Sequence, residues 1–228
     1  MHVVLIQRKK MTHPIIEDLQ WRYTAKKYNS SRKIPEKDLE ILFEAMRLSA
    51  SSINSQPWKF IVIESDEAKQ RMSDTFEKMY QFNKPHIFDS SQVILFAYKT
   101  KYTREDYAKV VDKGIEDKRT SLERRESAFG SFIFAEQNTT EDGDTSCWTK
   151  AQTYIALGNT LHTLARLKID ATPLEGINVE AVNREFSKEL EGYQCDVALA
   201  IGYHHKEEDF NAFLPKSRLP LERILTRL

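Results

Sequence analysis

Two predominantly apolar runs, Gln92–Tyr98 (QVILFAY) and Cys195–Ile201 (CDVALAI), constrain this chain more than any other feature. A strand that is apolar at consecutive positions has to be buried, so both runs predict core strands. A third, shorter strand is expected at Phe60–Glu64. Around them the three- and four-residue spacing of apolar side chains predicts helices. One spans Thr12–Trp21, with Pro14 near its start and Ile15, Ile16 and Leu19 on one side. A second starts at Pro35 and carries Leu39, Leu42, Phe43 and Met46. A third runs over Asp66–Tyr80 behind Ser65 as N-cap, and a fourth over Val179–Leu190. Trp148–Leu167 is apolar around much of its circumference, which places it in the core or at a subunit interface. Thr103–Arg125 is so charged that a solvent-facing helix is expected, Glu136–Ser146 is a polar loop, and the tail LPKSRLPLERIL is extended. Helices outnumber strands, so the class is α+β or α/β with one small sheet.

A chain of 228 residues can bury a single sizeable core. Residues 1–10 read as an extension outside the fold and 11–228 as one domain. Lys plus Arg equals Asp plus Glu at 34 each, so nothing draws the whole molecule to nucleic acid or acidic membranes. No stretch reaches the roughly 20 apolar residues of a membrane span, and the apolar run in MHVVLIQRKK is shorter than a signal-peptide core. Two cysteines, Cys147 and Cys195, are too few for a disulfide framework, so a reducing, cytoplasmic location is expected.

Chemistry is expected in the loops. Ser51, Ser52, Asn54, Ser55 and Gln56 crowd hydroxyl and amide groups ahead of Pro57 and Trp58, as a recognition loop or as a plain turn. The seven glycines are too dispersed for a Gly-rich dinucleotide turn or a P-loop, so side chains have to hold any phosphate. Arg22, Thr24 and Lys26 alternate on one face of an extended segment, and Lys216 and Arg218 repeat the arrangement between Pro215 and Pro220. Each is also a reasonable solvated pair. Pro173-Leu174-Glu175-Gly176 suits either backbone N–H groups facing a ligand or an ordinary helix-entry turn, and Phe82-Asn83 with His86 lies in a loop entering a buried strand. The six histidines carry no metal-ligand spacing, and no nucleophile elbow occurs. No metal is expected, and an enzyme built from these residues would borrow a cofactor.

In order, the blocks RYTAK (Arg22–Lys26), SSINSQPW (Ser51–Trp58), FN (Phe82–Asn83), PLEG (Pro173–Gly176) and GYHHKEEDFNAFLPKSRLP (Gly202–Pro220) resemble the flavin-dependent nitroreductase family. The resemblance is to its oxygen-insensitive NAD(P)H nitroreductase and dihydropteridine reductase branch, and it covers residues 14–228. It implies a nitroreductase-like α+β fold, a central mostly antiparallel sheet flanked by helices, in an intertwined homodimer with non-covalent FMN at the interface. Arg22, Lys216 and Arg218 would neutralise the FMN phosphate with help from Tyr23 and Thr24, while Lys26 reaches the ribityl and pyrimidine side. Ser51, Ser52 and Asn54 would come from the partner subunit, and Asn83 would bond the pyrimidine edge. The N–H groups of Glu175 and Gly176 would lie near flavin N5 and O4, with Pro173 and Leu174 behind the ring. Phe82 and Phe134 would flank the open face.

Two departures stand out. His86 occupies a position where the branch often has lysine, so its charge is expected to change near neutral pH. Ile53 replaces a small hydroxyl residue and would narrow the substrate channel. The implied activity is ping-pong hydride transfer from NADH or NADPH to nitroaromatics, quinones, pterins or free flavins, with no side chain acting as a catalytic acid or base. The alternatives are another redox task on the same fold, such as dehalogenation or oxygen-dependent flavin chemistry, and a non-enzymatic flavin-binding module.

Overall fold

The structure is a computed structural model that describes residues 13–228. The expected extension at 1–10 and the first residues of the domain lie outside the described residues. The two apolar runs form the centre of an antiparallel sheet of strand order β1-β2-β4-β3, with β1 at Trp58–Ile63, β2 at Gln92–Lys99, β3 at Asp170–Leu174 and β4 at Tyr193–Gly202. Val93, Leu95 and Ala97 point into one apolar cluster and Ile94 and Phe96 into another, so β2 is buried on both faces. Leu95 and Phe96 are fully buried, each worth about 1.5–3 kcal/mol.

The first face is covered by α3 (Asp66–Asp74), α4 (Lys84–Asp89), α9 (Val179–Glu185) and α10 (Ser187–Leu190) through Met72, Ile87, Val182 and Leu190. The second is covered by α2 (Glu36–Arg47), through Leu39, Leu42 and Met46, and by α8 (Ser146–Leu167), through Leu157 and Leu164. α1 (Pro14–Trp21) packs on α8.

Asp196, inside the run CDVALAI, has a structural explanation. The β2–β4 register shifts between Phe96 and Ala97, which pair with Val197 and Cys195. Asp196 is therefore the extra residue of a bulge, and Cys195 and Val197 enter opposite clusters. Its carboxylate accepts from Tyr98 Oη at 2.9 Å and from Lys150 Nζ of α8 at 2.5 Å.

Several expectations change. The expected strand at Phe60–Glu64 is β1, starting at Trp58 and ending at Ile63. β3 was not foreseen, because Pro173 argues against a strand; it is an edge strand of the sheet, where a missing N–H is tolerated. The helix expected over Asp66–Tyr80 keeps its Ser65 cap but stops at Asp74, where Thr75 Oγ1 turns back to Met72 O at 2.7 Å and Phe76 drops into the core. Val179–Leu190 breaks at Phe186, which is buried. Within Thr103–Arg125 the first helix, α5, covers Arg104–Glu116 and does have an apolar face. Tyr107 and Val111 join Tyr102, Phe129 and Phe132 in a third cluster. Two short helices, α6 (Arg125–Ala128) and α7 (Ile133–Glu136), complete that region.

Candidate active site

The two ends of the chain meet at a cleft of about 320 Å³ lined by Arg22, Tyr23 and Thr24 from one end and Lys216, Ser217 and Arg218 from the other. Arg22 leaves α1 in an extended conformation (φ −65°, ψ 138°), and Thr24 forms a parallel bridge to Ala171 on β3. Lys216 Nζ donates to the Arg22 carbonyl oxygen. Among the described residues none of the three cations has a carboxylate partner. Burial, and then the neighbouring Arg218, hold the Arg22 pKa below its usual value; burial, Arg22 and Arg218 do the same to Lys216. Three mutually repelling cations around one cleft are a site for a multiply charged anion. Lys26 does not join them, because the chain bends at Lys26–Lys27. Its charge instead acts on His86.

A second group of residues gathers where β3 ends. Asn83 Nδ2 donates to Gly176 O at 2.8 Å, and a Cβ on Gly176 would stand 3.0 Å from Asn83 Nδ2 and 3.4 Å from Phe82 Cζ. Asn83 is buried and Phe82 is 68% exposed, so the loop offers an aromatic face above a fixed amide. The N–H groups of Glu175 and Gly176 bond no acceptor among the described residues. Pro173 and Leu174 are the last residues of β3, and Leu174 is buried in the core. Tyr154, from α8, donates to the Glu175 carboxylate, and burial followed by that carboxylate pushes its phenol well up. Sequence reasoning treated Tyr154 only as part of an apolar helix surface.

His86, in α4, is buried, packs edge-to-face on Tyr28 with ring centroids 6.2 Å apart, and has a buried Nδ1 without a partner among the described residues. Burial first, then Lys26 and Lys27, lower its pKa against the opposing pull of Asp89 and Asp209. This direction moves the charge change expected near neutral pH to lower pH, and the buried Nδ1 is a polar atom suited to a hydrogen bond with a ligand.

The serine loop forms a third, separate group. Ser52–Asn54 is a single 3₁₀ turn, and Ile53, Asn54 and Gln56 all have positive φ (51°, 57° and 45°), a conformation that costs non-glycine residues energy. The loop is held by Ser51 Oγ, which accepts from Gln56 N at 3.0 Å. Gln152 of α8 accepts from Ser52 N at 2.8 Å, and Tyr102 Oη donates to Ser55 O at 2.6 Å. Gln152 and Tyr102 carry no sequence signal for this role, since both contacts join distant segments. Ile53 packs against the aromatic cluster of α5. Among the described residues no hydrogen bond links Ser51, Ser52 or Asn54 to the cation cleft. Phe134, on α7, is 53% exposed and lines neither that cleft nor the turn at Gly176.

The family model described as Nitroreductase family matches residues 19–203. The chain is 61% identical over 218 residues to the major NAD(P)H-flavin oxidoreductase of Aliivibrio fischeri, covering 96% of this chain and 100% of that protein. It is 36% identical over 209 residues to an oxygen-insensitive NAD(P)H nitroreductase of Salmonella typhimurium, covering 91% and 96%. A structure from Exiguobacterium sibiricum described as a nitroreductase in complex with FMN superposes with a TM-score of 0.79 at 21% identity, covering 96% of this chain and 99% of that one.

Proposed function

The chain belongs to the nitroreductase family, and from that premise we propose that it works as an FMN-dependent NAD(P)H oxidoreductase whose flavin phosphate sits between Arg22, Lys216 and Arg218. The observation that carries this reading is the convergence of those three cations, which among the described residues pair with no carboxylate, from segments 194 positions apart in the chain. The rest of the site fits the same group. Gly176 leaves room where a Cβ would collide with Asn83, and among the described residues two N–H groups beside it and the buried His86 Nδ1 have no hydrogen-bond partner. When bound, FMN supplies the hydride chemistry.

The protein's own contribution is binding and orientation. Arg22, Lys216 and Arg218 offset the phosphate charge, with Tyr23 and Thr24 lining the same cleft. The N–H groups of Glu175 and Gly176 donate toward the flavin edge, fixed by the Asn83–Gly176 and Tyr154–Glu175 bonds. Lys26 and His86 would lie toward the pyrimidine side, with Pro173 and Leu174 behind the ring. Phe82 offers a flat apolar surface on which a nicotinamide and an aromatic acceptor (a nitroaromatic, quinone, pterin or free flavin) stack in turn. No side chain is assigned as a proton donor.

The separation of the serine loop from the cation cleft supports a homodimer in which Ser51, Ser52, Asn54 and Ile53 complete the partner's site, with Phe134 at its open face. A groove of about 360 Å³ lined by Pro14, Ile15, Ile41, His162 and Leu167 supports an apolar subunit contact. Cys147 and Cys195 are both free, in keeping with a cytoplasmic protein, and among the described residues no helix is long and apolar enough to cross a membrane.

The test is direct. The purified protein is expected to be yellow, to bleach anaerobically with NADH or NADPH, and to give parallel initial-rate lines with a quinone acceptor. Asn54→Ala is expected to weaken FMN binding without unfolding the chain. A colourless protein that FMN does not reconstitute refutes the reading.

A further inference from the structure

Tyr23 and Asp209 lie 186 positions apart in the chain yet bond directly, Tyr23 Oη donating to Asp209 Oδ2 at 3.2 Å. The other carboxylate oxygen accepts from Lys26 N at 3.2 Å and from Asn211 N at 3.1 Å, the second bond capping the turn Phe210–Phe213. Asn211 then reaches back, its Nδ2 donating to Thr24 O at 2.7 Å. Asp209 is 0% exposed, and among the described residues it forms no ion pair. A buried carboxylate is costly unless well hydrogen-bonded, and here only neutral donors serve it: one phenol and two backbone N–H groups. Burial, Asp170 and Asp209 all raise the Tyr23 pKa, which keeps its phenol a donor.

Such a group does two things at once. It ties the segment carrying Arg22 to the root of the limb carrying Lys216 and Arg218, and it does so without pairing with any of those cations. We propose that Asp209 is a positioning residue that assembles the phosphate-binding cleft from the two ends of the chain while leaving its three cations free for the ligand. The inference rests on the FMN reading above and assigns to one residue the arrangement on which that reading depends.

The experiment compares the affinities of the apoprotein for FMN and for riboflavin, which lacks the phosphate, by fluorescence titration. The ratio of the two isolates what the phosphate contributes. Asp209→Ala is expected to lower that ratio about tenfold or more, with riboflavin affinity changed by less than about threefold, as loss of charge-assisted phosphate bonds would do. Asp209→Asn, which keeps one oxygen for the two N–H groups, is expected to retain the ratio within about threefold. A parallel loss of FMN and riboflavin affinity in Asp209→Ala makes Asp209 a fold support only and overturns the proposal, as does an unchanged ratio. If Asp209→Ala does not fold, Tyr23→Phe decides, since it removes one bond to Asp209 and leaves the backbone bonds. A smaller drop in the ratio supports the proposal and an unchanged ratio overturns it. Lys216→Ala separates the two levels. A wild-type ratio that falls in Lys216→Ala but not in the Asp209 variants sinks the positioning role alone. A wild-type ratio near one, insensitive to Lys216→Ala, sinks the FMN reading and the proposal together.

Discussion

Gly176→Ala tests the closest packing in the site. A Cβ there would stand 3.0 Å from Asn83 Nδ2 and 3.4 Å from Phe82 Cζ. Phe82 is exposed and can swing away, but Asn83 is 5% exposed and tied to Gly176 O at 2.8 Å, so it cannot withdraw without stretching its own bond. Overpacking of a buried contact costs about 1–3 kcal/mol, and a weakened neutral hydrogen bond adds at most about 1 kcal/mol. Stability is therefore expected to fall by about 2 kcal/mol in urea titrations of the apoprotein, and FMN affinity by about ten- to thirtyfold if the displaced turn carries the donors to the flavin. The double variant Gly176→Ala/Asn83→Ala removes the atom that the new methyl meets, so it should cost less than the sum of the two single changes. That coupling belongs to residues in contact. Strict additivity in both stability and FMN affinity would refute the reasoning, because the methyl would then be meeting something other than Asn83.

Three further outcomes are expected. Lys69 is 2% exposed, donates Nζ to Ser90 O at 2.6 Å, and is pushed by burial from 10.5 down to about 8. Because the unfolded chain holds that proton more tightly, stability should rise between pH 8 and 10.5 by up to about 3 kcal/mol relative to Lys69→Met; parallel pH profiles of the two proteins in urea melts would contradict this. His86 has a lowered pKa, so as pH falls below the ordinary histidine range the unfolded chain protonates first and stability is lost. His86→Asn should lose less over that range, and the flavin potential of the wild type should show no His86 inflection near neutrality. Asp18, held low mainly by Lys168 and also by Arg166, joins α1 to the end of α8. Its contribution is present above the ordinary carboxylate range and lost as pH falls, so Asp18→Asn should lower stability at neutral pH and flatten the acid limb of the melting profile.

The sheet was legible because apolarity at consecutive positions needs cover on both faces, and β2 and β4 have it. β3 is not legible, since it is short, holds Asp170, Thr172 and Pro173, and is a strand only at the edge of the sheet. Helix ends failed for a local reason: Thr75 and Phe186 sit where a hydroxyl bond or a core position outweighs helical continuation.

Within the candidate site, Arg22, Lys216, Arg218, Asn83 and Gly176 stand out in the sequence only together, because each lies in one of the ordered blocks that carry the family resemblance. Asp209, Tyr154, Gln152 and Tyr102 were invisible for a different reason. An aspartate after two glutamates, or a tyrosine in an apolar helix, acquires a role only from the partner it meets, and those partners lie far away in the chain. Lys26 shows the same limit from the other side, for its residue type and spacing both pointed to the cation cleft, and one bend in the backbone sent it to His86. Candidate ligand-binding residues can thus be marked by motif resemblance, whereas residues that position them are defined by tertiary contact. Substitution at Asp209 should therefore disturb phosphate recognition although nothing in its local sequence suggests a phosphate.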